Sequence, residues 1–228
     1  ELGAAVVAVT HDGSSPLAQN AHYVIVHGFE KNYAAKLEKM TKVLQLAVEI
    51  LQVYEGYAYY EEMQTAFEQI YPLIENAVSF VVPEARKFAQ DYKDVPVIYV
   101  MSSGATQEVA YAFSICLLME MQWVNSGNFH DGGPFEIVDK DVPFVLLMND
   151  GPTRPLDARA LTFLERFGAK TTLLDGKDFG IANVIPGHVV EYFNPMVLSA
   201  VLRVYAEQLA IARSHPLTQR RYMWKLEY

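Results

Sequence analysis

Apolar residues follow two rhythms along this chain. Val6 to Thr10 and Tyr23 to Val26 are short β-branched runs, the first closed by His11-Asp12-Gly13-Ser14-Ser15-Pro16 and the second by Gly28. They predict two short buried strands, since neither is long enough for a helix. From Asn32 to Tyr54 the apolar positions Leu37, Met40, Leu44, Ala47, Val48 and Leu51 recur at three- and four-residue spacing. That spacing lines one face of a long helix ending near Gly56. Tyr59 to Tyr92 reads as more helix, with breaks expected at Pro72 and Pro83 because proline removes a backbone donor and crowds the preceding turn. Its tyrosines suit a boundary between two surfaces, either a connecting layer or a dimer face.

The rhythm then changes. Val97 to Met101 predicts a strand, Gln107 to Trp123 a helix, Phe144 to Met148 a strand, Leu156 to Phe167 a helix and Thr171 to Leu174 a strand. Continuously apolar strands alternating with helices imply a parallel sheet covered on both faces, an α/β fold of doubly wound type. His188 falls in a stretch that reads as strand. Met196 to Ala212 is a last helix, followed by the tail HPLTQRRYMWKLEY, whose mixed charges and aromatics cannot form a core stripe. Such a tail docks into a site or frays. Three segments follow: residues 1–93, the remainder of a first α/β unit plus connecting helices; 94–214, a second unit; and 215–228, a docking tail. The opening ELGAAVVAVT reads as the end of a helix running into a strand, so the first unit is expected to be truncated.

Composition narrows the function. Half the residues are apolar, which is enough for a sizeable core, and 18 Lys+Arg against 27 Asp+Glu give a formal charge of -9. No basic run offsets that charge locally, so neither nucleic acid nor a membrane surface is expected as partner. No stretch reaches the roughly 18 uninterrupted apolar residues of a membrane span. The single cysteine, Cys116, cannot form an intramolecular disulfide and supports no thiolate metal site, so a cytoplasmic protein is expected, and the candidate acid–base chemistry below requires no metal or organic cofactor.

Glu120 is the one carboxylate in the apolar stretch AYAFSICLLMEMQWV. Burial there would disfavour its charged form and make it a proton shuttle near neutral pH, unless the side chain simply reaches water at the helix end. Gly127, Gly132, Gly133 and Pro134 mark an irregular loop carrying His130 and Asp131, where a histidine is either a catalyst or plain surface. Two turns follow strands: Ser102-Ser103-Gly104-Ala105-Thr106 and Asn149-Asp150-Gly151-Pro152-Thr153-Arg154. Each offers hydroxyls and backbone N–H groups at a helix start, as a phosphate cradle does and as an ordinary N-cap also does. In the tail, Arg220, Arg221 and Lys225 form an anion site or a solvated cluster, and the interleaved Tyr222, Met223 and Trp224 favour docking. His11, His22, His27 and His188 lack metal-ligand spacing and are assigned no role.

The strings SICLLMEMQW, GPFEIVDKDVPF, GPTRPLDARALTFLERFG and HPLTQRRYMWKLEY resemble the fructosamine 6-phosphate deglycases, relatives of the isomerase domain of glucosamine-6-phosphate synthase. The resemblance runs over most of the chain and is specific from about Val97 onward. It implies the sugar-isomerase (SIS) fold: tandem flavodoxin-like three-layer αβα units, each with a five-stranded parallel sheet, in a homodimer with shared sites. It also implies that Glu120 is the proton-transferring base, that His130 helps ring opening from the neighbouring subunit, and that Lys225 touches the sugar. This chain reads HDGGPFE where the family reads HGPFE. The family's first phosphate loop, of the S-x-S-G-x-T kind, would precede Glu1.

The function implied is conversion of a fructosamine 6-phosphate and water into glucose 6-phosphate and a free amino acid. Two alternatives use the same residues differently. An aldose-ketose isomerase of an amino sugar phosphate would release no amino acid, and a non-catalytic sugar-phosphate-binding module would bind without turnover.

Overall fold

The computed structural model describes residues 3–29, 32–130, 133 and 135–227. Asp131, Gly132 and Pro134 of the segment after His130, and the terminal Tyr228, lie outside them. In chain order the elements are β1 (Val7–Thr10), α1 (Pro16–Gln19), β2 (Tyr23–Val26), α2 (Tyr33–Tyr54), α3 (Tyr60–Tyr92), β3 (Val97–Ser102) and α4 (Gln107–Ala112). Helix α4 passes into a π-helical stretch, Phe113–Met121. Then come β4 (Asn125–His130), β5 (Pro143–Met148), α5 (Arg154–Arg166), β6 (Lys170–Asp175), α6 (Ile181–Val184) and α7 (Asn194–Ala212).

Two parallel sheets result. One is the pair β1-β2, and the other has the order β4-β3-β5-β6. Among the described residues the second sheet has four strands, where the resemblance implied five. All six residues of β5 are buried, as a central parallel strand requires. Its side chains alternate between two cores. Val145 and Leu147 join a cluster with α3 and α7, while Phe144, Leu146 and Met148 meet Ala160 and Leu164 of α5 on the other face. The period of two along one strand therefore produces the three-layer αβα arrangement.

Helix α3 runs unbroken through Pro72 and Pro83. Both prolines are exposed, so the carbonyls they leave without an N–H partner face water. The opposite face buries thirteen residues from Met63 to Tyr92. At about 1.5–3 kcal/mol for each large buried side chain, that face outweighs the roughly 3 kcal/mol that each proline costs. The same core cluster takes in α2, α3, the second sheet and α7, so α2 and α3 share one hydrophobic interior with the elements that follow them. The segment Val190–Ala212 is apolar and long enough to cross a bilayer by composition alone, with 61% of its most apolar window buried in the fold.

Two expectations change further. Asn125–His130 is an edge strand rather than a loop, pairing in parallel with β3 from Val97↔Asn125 to Ser102↔His130. His188 stands in a turn, not a strand, where it stacks on Tyr59 and pairs with Glu62.

Candidate active site

Glu120 stands at the end of the π-helical stretch, and the chain leaves that helix through an unusual residue. Trp123 adopts φ 55°, the left-handed region where glycine is the ordinary occupant. Its conformation lets Val124 N–H bond back to Leu118 C=O at 3.0 Å and start β4 directly. A bulky residue in that region is costly, of the order of 1–3 kcal/mol, and is kept only where its surroundings hold it. The indole is held by the edge of the His215 ring, 4.3 Å between centroids, and by the Arg221 guanidinium 4.3 Å over the ring.

The end of α7 brings the tail to this place. Ser214 takes φ 50°, with Ser214 N–H bonded to Ile211 C=O at 3.1 Å and His215 N–H to Ala210 C=O at 2.9 Å. This pair of bonds is a Schellman cap with serine where glycine usually stands. The reversed chain is then bonded to the end of the first helix: Gln122, fully buried, donates from Nε2 to His215 C=O at 2.7 Å. Arg213 donates to the carbonyls of Lys93 and Gln122.

Between helix end and tail lies a cavity of about 440 Å³. Glu120, Trp123, Asn125, Arg220, Arg221 and Tyr222 line it. Arg220 Nε stands 3.5 Å from Glu120 Oε1, with 10% of the arginine side chain and 31% of the glutamate side chain exposed. Arg220 is anchored through Nη1 to Leu217 C=O at 2.6 Å, and its guanidinium lies 5.4 Å over the Trp224 ring. Glu120 therefore faces a cavity of mixed lining, in which Arg220 and Arg221 stand beside Met119, Trp123, Val124 and Met223. Its neighbour one turn back, Cys116, has its thiol pKa pushed up by burial and then by the Glu120 charge, so it stays protonated and unreactive.

His215 is affected as well. Burial first, and the nearby Arg213 charge second, lower its pKa below the ordinary imidazole value. A depressed folded value means that the neutral ring is the form the fold holds. The stability it contributes is complete above the unfolded pKa of about 6.5 and is lost as pH falls toward the folded value. The melting temperature of the protein should therefore decline between pH 7.5 and 5.5, and that of His215→Gln should decline less. Parallel declines in a thermal melt series would count against this role.

Lys225 donates from Nζ to Arg220 C=O at 2.6 Å, beside the cavity. The other expected residues lie elsewhere. The cavity includes Asn125, which begins β4, whereas Ser102 and His130 are register partners where β3 and β4 end. Five residues of strand separate them, about 16 Å. In one chain His130 and Glu120 thus stand at opposite ends of the edge strand β4.

The two turns meet each other at the end of the strands where His130 stands. Ser103 Oγ donates to the Asp157 carboxyl, and Asn149 donates to it from both its backbone N and Nδ2 at 2.9 Å. Asn149 Nδ2 also reaches Thr153 Oγ1 at 2.9 Å, and Ser102 Oγ bonds Thr106 Oγ1 at 2.6 Å. Gly104 has φ 56°, and a Cβ there would come within 2.3 Å of Thr153 Oγ1, so the turns touch backbone to side chain. Arg154 forms a two-pronged pair with Asp175 at 2.8 and 2.6 Å and bonds Asn149 C=O. Burial alone would raise the pKa of Asp175, but the bonds from Arg154 and the Lys177 N–H outweigh it and hold the group below the usual carboxylate range. Asp150 N–H bonds Asn194 Oδ1 at 3.1 Å. In this arrangement the side chains expected to cradle a phosphate are bonded to one another or to the carboxyls of Asp157 and Asp175. The hydroxyls and the guanidinium are engaged, and the centre is a fully buried carboxyl group that would repel an anion. The sequence signal missed was Asp157, hidden in a helix that otherwise reads as solvent-facing.

Among the described residues no group of three or more His, Cys, Asp or Glu side chains is placed to share a metal ion.

No protein-family profile matches the chain. A fructosamine deglycase of Bacillus subtilis (strain 168) is 41% identical over 230 residues, covering 99% of this chain and 70% of that protein. A fructoselysine 6-phosphate deglycase of Escherichia coli O157:H7 is 26% identical over 64% of this chain and 44% of its own length. A Salmonella typhimurium LT2 structure, provisionally named a phosphosugar isomerase, superposes with a TM-score of 0.92 at 41% identity, over 99% of this chain and 72% of that one. The C-terminal domain of a glucosamine-fructose-6-phosphate aminotransferase from Francisella tularensis shares the fold alone, with a TM-score of 0.73 and 14% identity over 93% of this chain and 64% of that one. The fold is accordingly the SIS fold. With a relative that similar along almost its whole length, and a solved structure that superposes as closely, this chain belongs to the fructosamine deglycases, a family of enzymes.

Proposed function

We propose that the chain converts a fructosamine 6-phosphate and water to glucose 6-phosphate and a free amine, with Glu120 as the group that moves the proton. The observation that carries this reading is a carboxylate lining a cavity of about 440 Å³ that is walled by cationic and aromatic side chains. The sequence similarity to a fructosamine deglycase supports the same chemistry.

In the open-chain ketoamine, C1 bears the nitrogen and C2 the carbonyl. Glu120 takes a proton from C1 and the C2 oxygen gains one, giving an enaminol. Returning a proton to C2 yields an imine between C1 and nitrogen. Water adds to C1, the C–N bond breaks, and the aldehyde and the amine leave. The single carboxylate shuttles one proton between adjacent carbons, which is general acid–base work with no redox change.

Lys225, fixed beside the cavity by its bond to Arg220 C=O, is proposed to contact the sugar. His130 is a strand's length from Glu120 within one chain, so its proposed part in ring opening requires a second copy of the chain. The turns at Ser102–Gly104 and Asn149–Arg154 are proposed as the clasp that fixes the two βα crossovers.

The test is incubation with a fructosamine 6-phosphate, followed by assay of glucose 6-phosphate and free amine. Equimolar release of both is expected. An aldose phosphate formed without free amine would indicate an isomerase, and binding without either product would overturn the reading.

A further inference from the structure

Arg221 is the one cavity residue whose charge the fold leaves without a hydrogen bond or ion pair among the described residues. Its neighbour Arg220 is tied to Glu120 and to Leu217 C=O. The Arg221 guanidinium instead lies over the Trp123 ring, 4.3 Å from its centroid, with the Tyr222 ring 5.8 Å away. The platform under it is strained, because Trp123 holds φ 55°. A cation held by a ring face rather than by a hydrogen bond keeps its fork of N–H donors available to a ligand. That fork matches the two oxygens of a carboxylate.

We infer that Arg221, stacked on Trp123 beside Glu120, binds the carboxylate of the amino-acid portion of the substrate. This rests on the reading of the cavity as a fructosamine 6-phosphate site. The substrate offers two anions, and their positions decide between them. Glu120 must reach C1 and C2. An amino acid joined through its α-nitrogen has its carboxylate carbon three bonds from C1, by way of nitrogen and Cα. The phosphorus is six bonds from C2. An arginine sharing one cavity wall with the proton-transferring group is therefore placed for the near anion. A phosphate dianion at the same spot would also press against the Glu120 carboxylate.

A cycle of two substrates and two side chains tests this. The 6-phosphates of fructosyl-glycine and of fructosyl-methylamine differ by the carboxylate alone. For the unaltered chain, kcat/KM should favour the glycine conjugate. In Arg221→Gln the ratio of kcat/KM between the two conjugates should fall about 10-fold to 100-fold, the range for loss of a charge-assisted pair. Arg221→Lys should restore part of the ratio, as a point charge without the fork. An equal loss for both conjugates would assign Arg221 to the phosphate or to the fold of the tail, and would overturn the inference. If neither conjugate is turned over, the deglycase reading fails on its own. Calorimetric titration of the unaltered chain and of Arg221→Gln with the two conjugates then decides the subsite by the same ratio of dissociation constants. Equal affinity of the unaltered chain for both would end it.

Discussion

Glu120→Gln is expected to lower kcat on a fructosamine 6-phosphate by at least about 100-fold, the contribution typical of a positioned acid–base group. The substitution keeps the shape of the side chain and removes the group that accepts a proton. Folding should scarcely change. The pair with Arg220 is long, at 3.5 Å, and 31% of the glutamate side chain is exposed, so its loss costs roughly 1 kcal/mol or less. Arg220 keeps its bonds to the carbonyls of Leu217 and Gln219. Steady-state kinetics with a thermal melt of the same preparation separates the two effects. Turnover near that of the unaltered chain would remove Glu120 from the chemistry.

Asp157→Ala is expected to be the most damaging single change at the other end of the strands. Its carboxyl accepts from the Ser103 hydroxyl, the Asn149 backbone N–H and the Asn149 amide, and it is fully buried. Truncation leaves the Asn149 backbone N–H without its acceptor and removes the two side-chain bonds to the carboxyl, away from water, at a cost of about 3–5 kcal/mol. For a chain of this size that corresponds to a melting temperature lower by roughly 6–20 °C. KM, measured well below the new melting temperature, should stay close to its original value, because the cavity at Glu120 lies at the opposite end of the strands. If the turns held the substrate phosphate, removing a buried carboxylate would tighten binding, and KM would fall instead.

Burial explains which parts of this architecture could be read in advance. The strand Pro143–Met148 is buried on both faces and wears an unbroken apolar sequence, so its composition and its environment agree. Asn125–His130 reads as a loop because it sits at the edge, where the backbone bonds to β3 and the side chains are only half-buried. The two prolines of α3 announce breaks that do not occur, since the sequence does not say that both face solvent. Glu120 was conspicuous as a charge in an apolar run, yet the cations beside it come from Arg220 and Arg221, a hundred residues further along. Ser102, Ser103, Asn149 and Thr153 illustrate the same gap. A hydroxyl or amide that cradles an anion and one that is bound to a distant aspartate have the same local sequence. Trp123 carries no signal at all, because tryptophan in a left-handed conformation is a consequence of what surrounds it.

The widened coil from Phe113 to Met121 has a bearing on how such sequences are aligned and altered. Its hydrogen bonds skip one residue more than those of an ordinary helix. Shortening the segment by a single amino acid would let it relax into the common 3.6-residue spiral, and everything downstream would rotate by about 100° around the axis. The carboxylate would then look toward the interior or the solvent, with the sequence otherwise intact. Homologues that differ by one residue just upstream of this position therefore cannot be assumed to present the same group to the same space, even where the letters match.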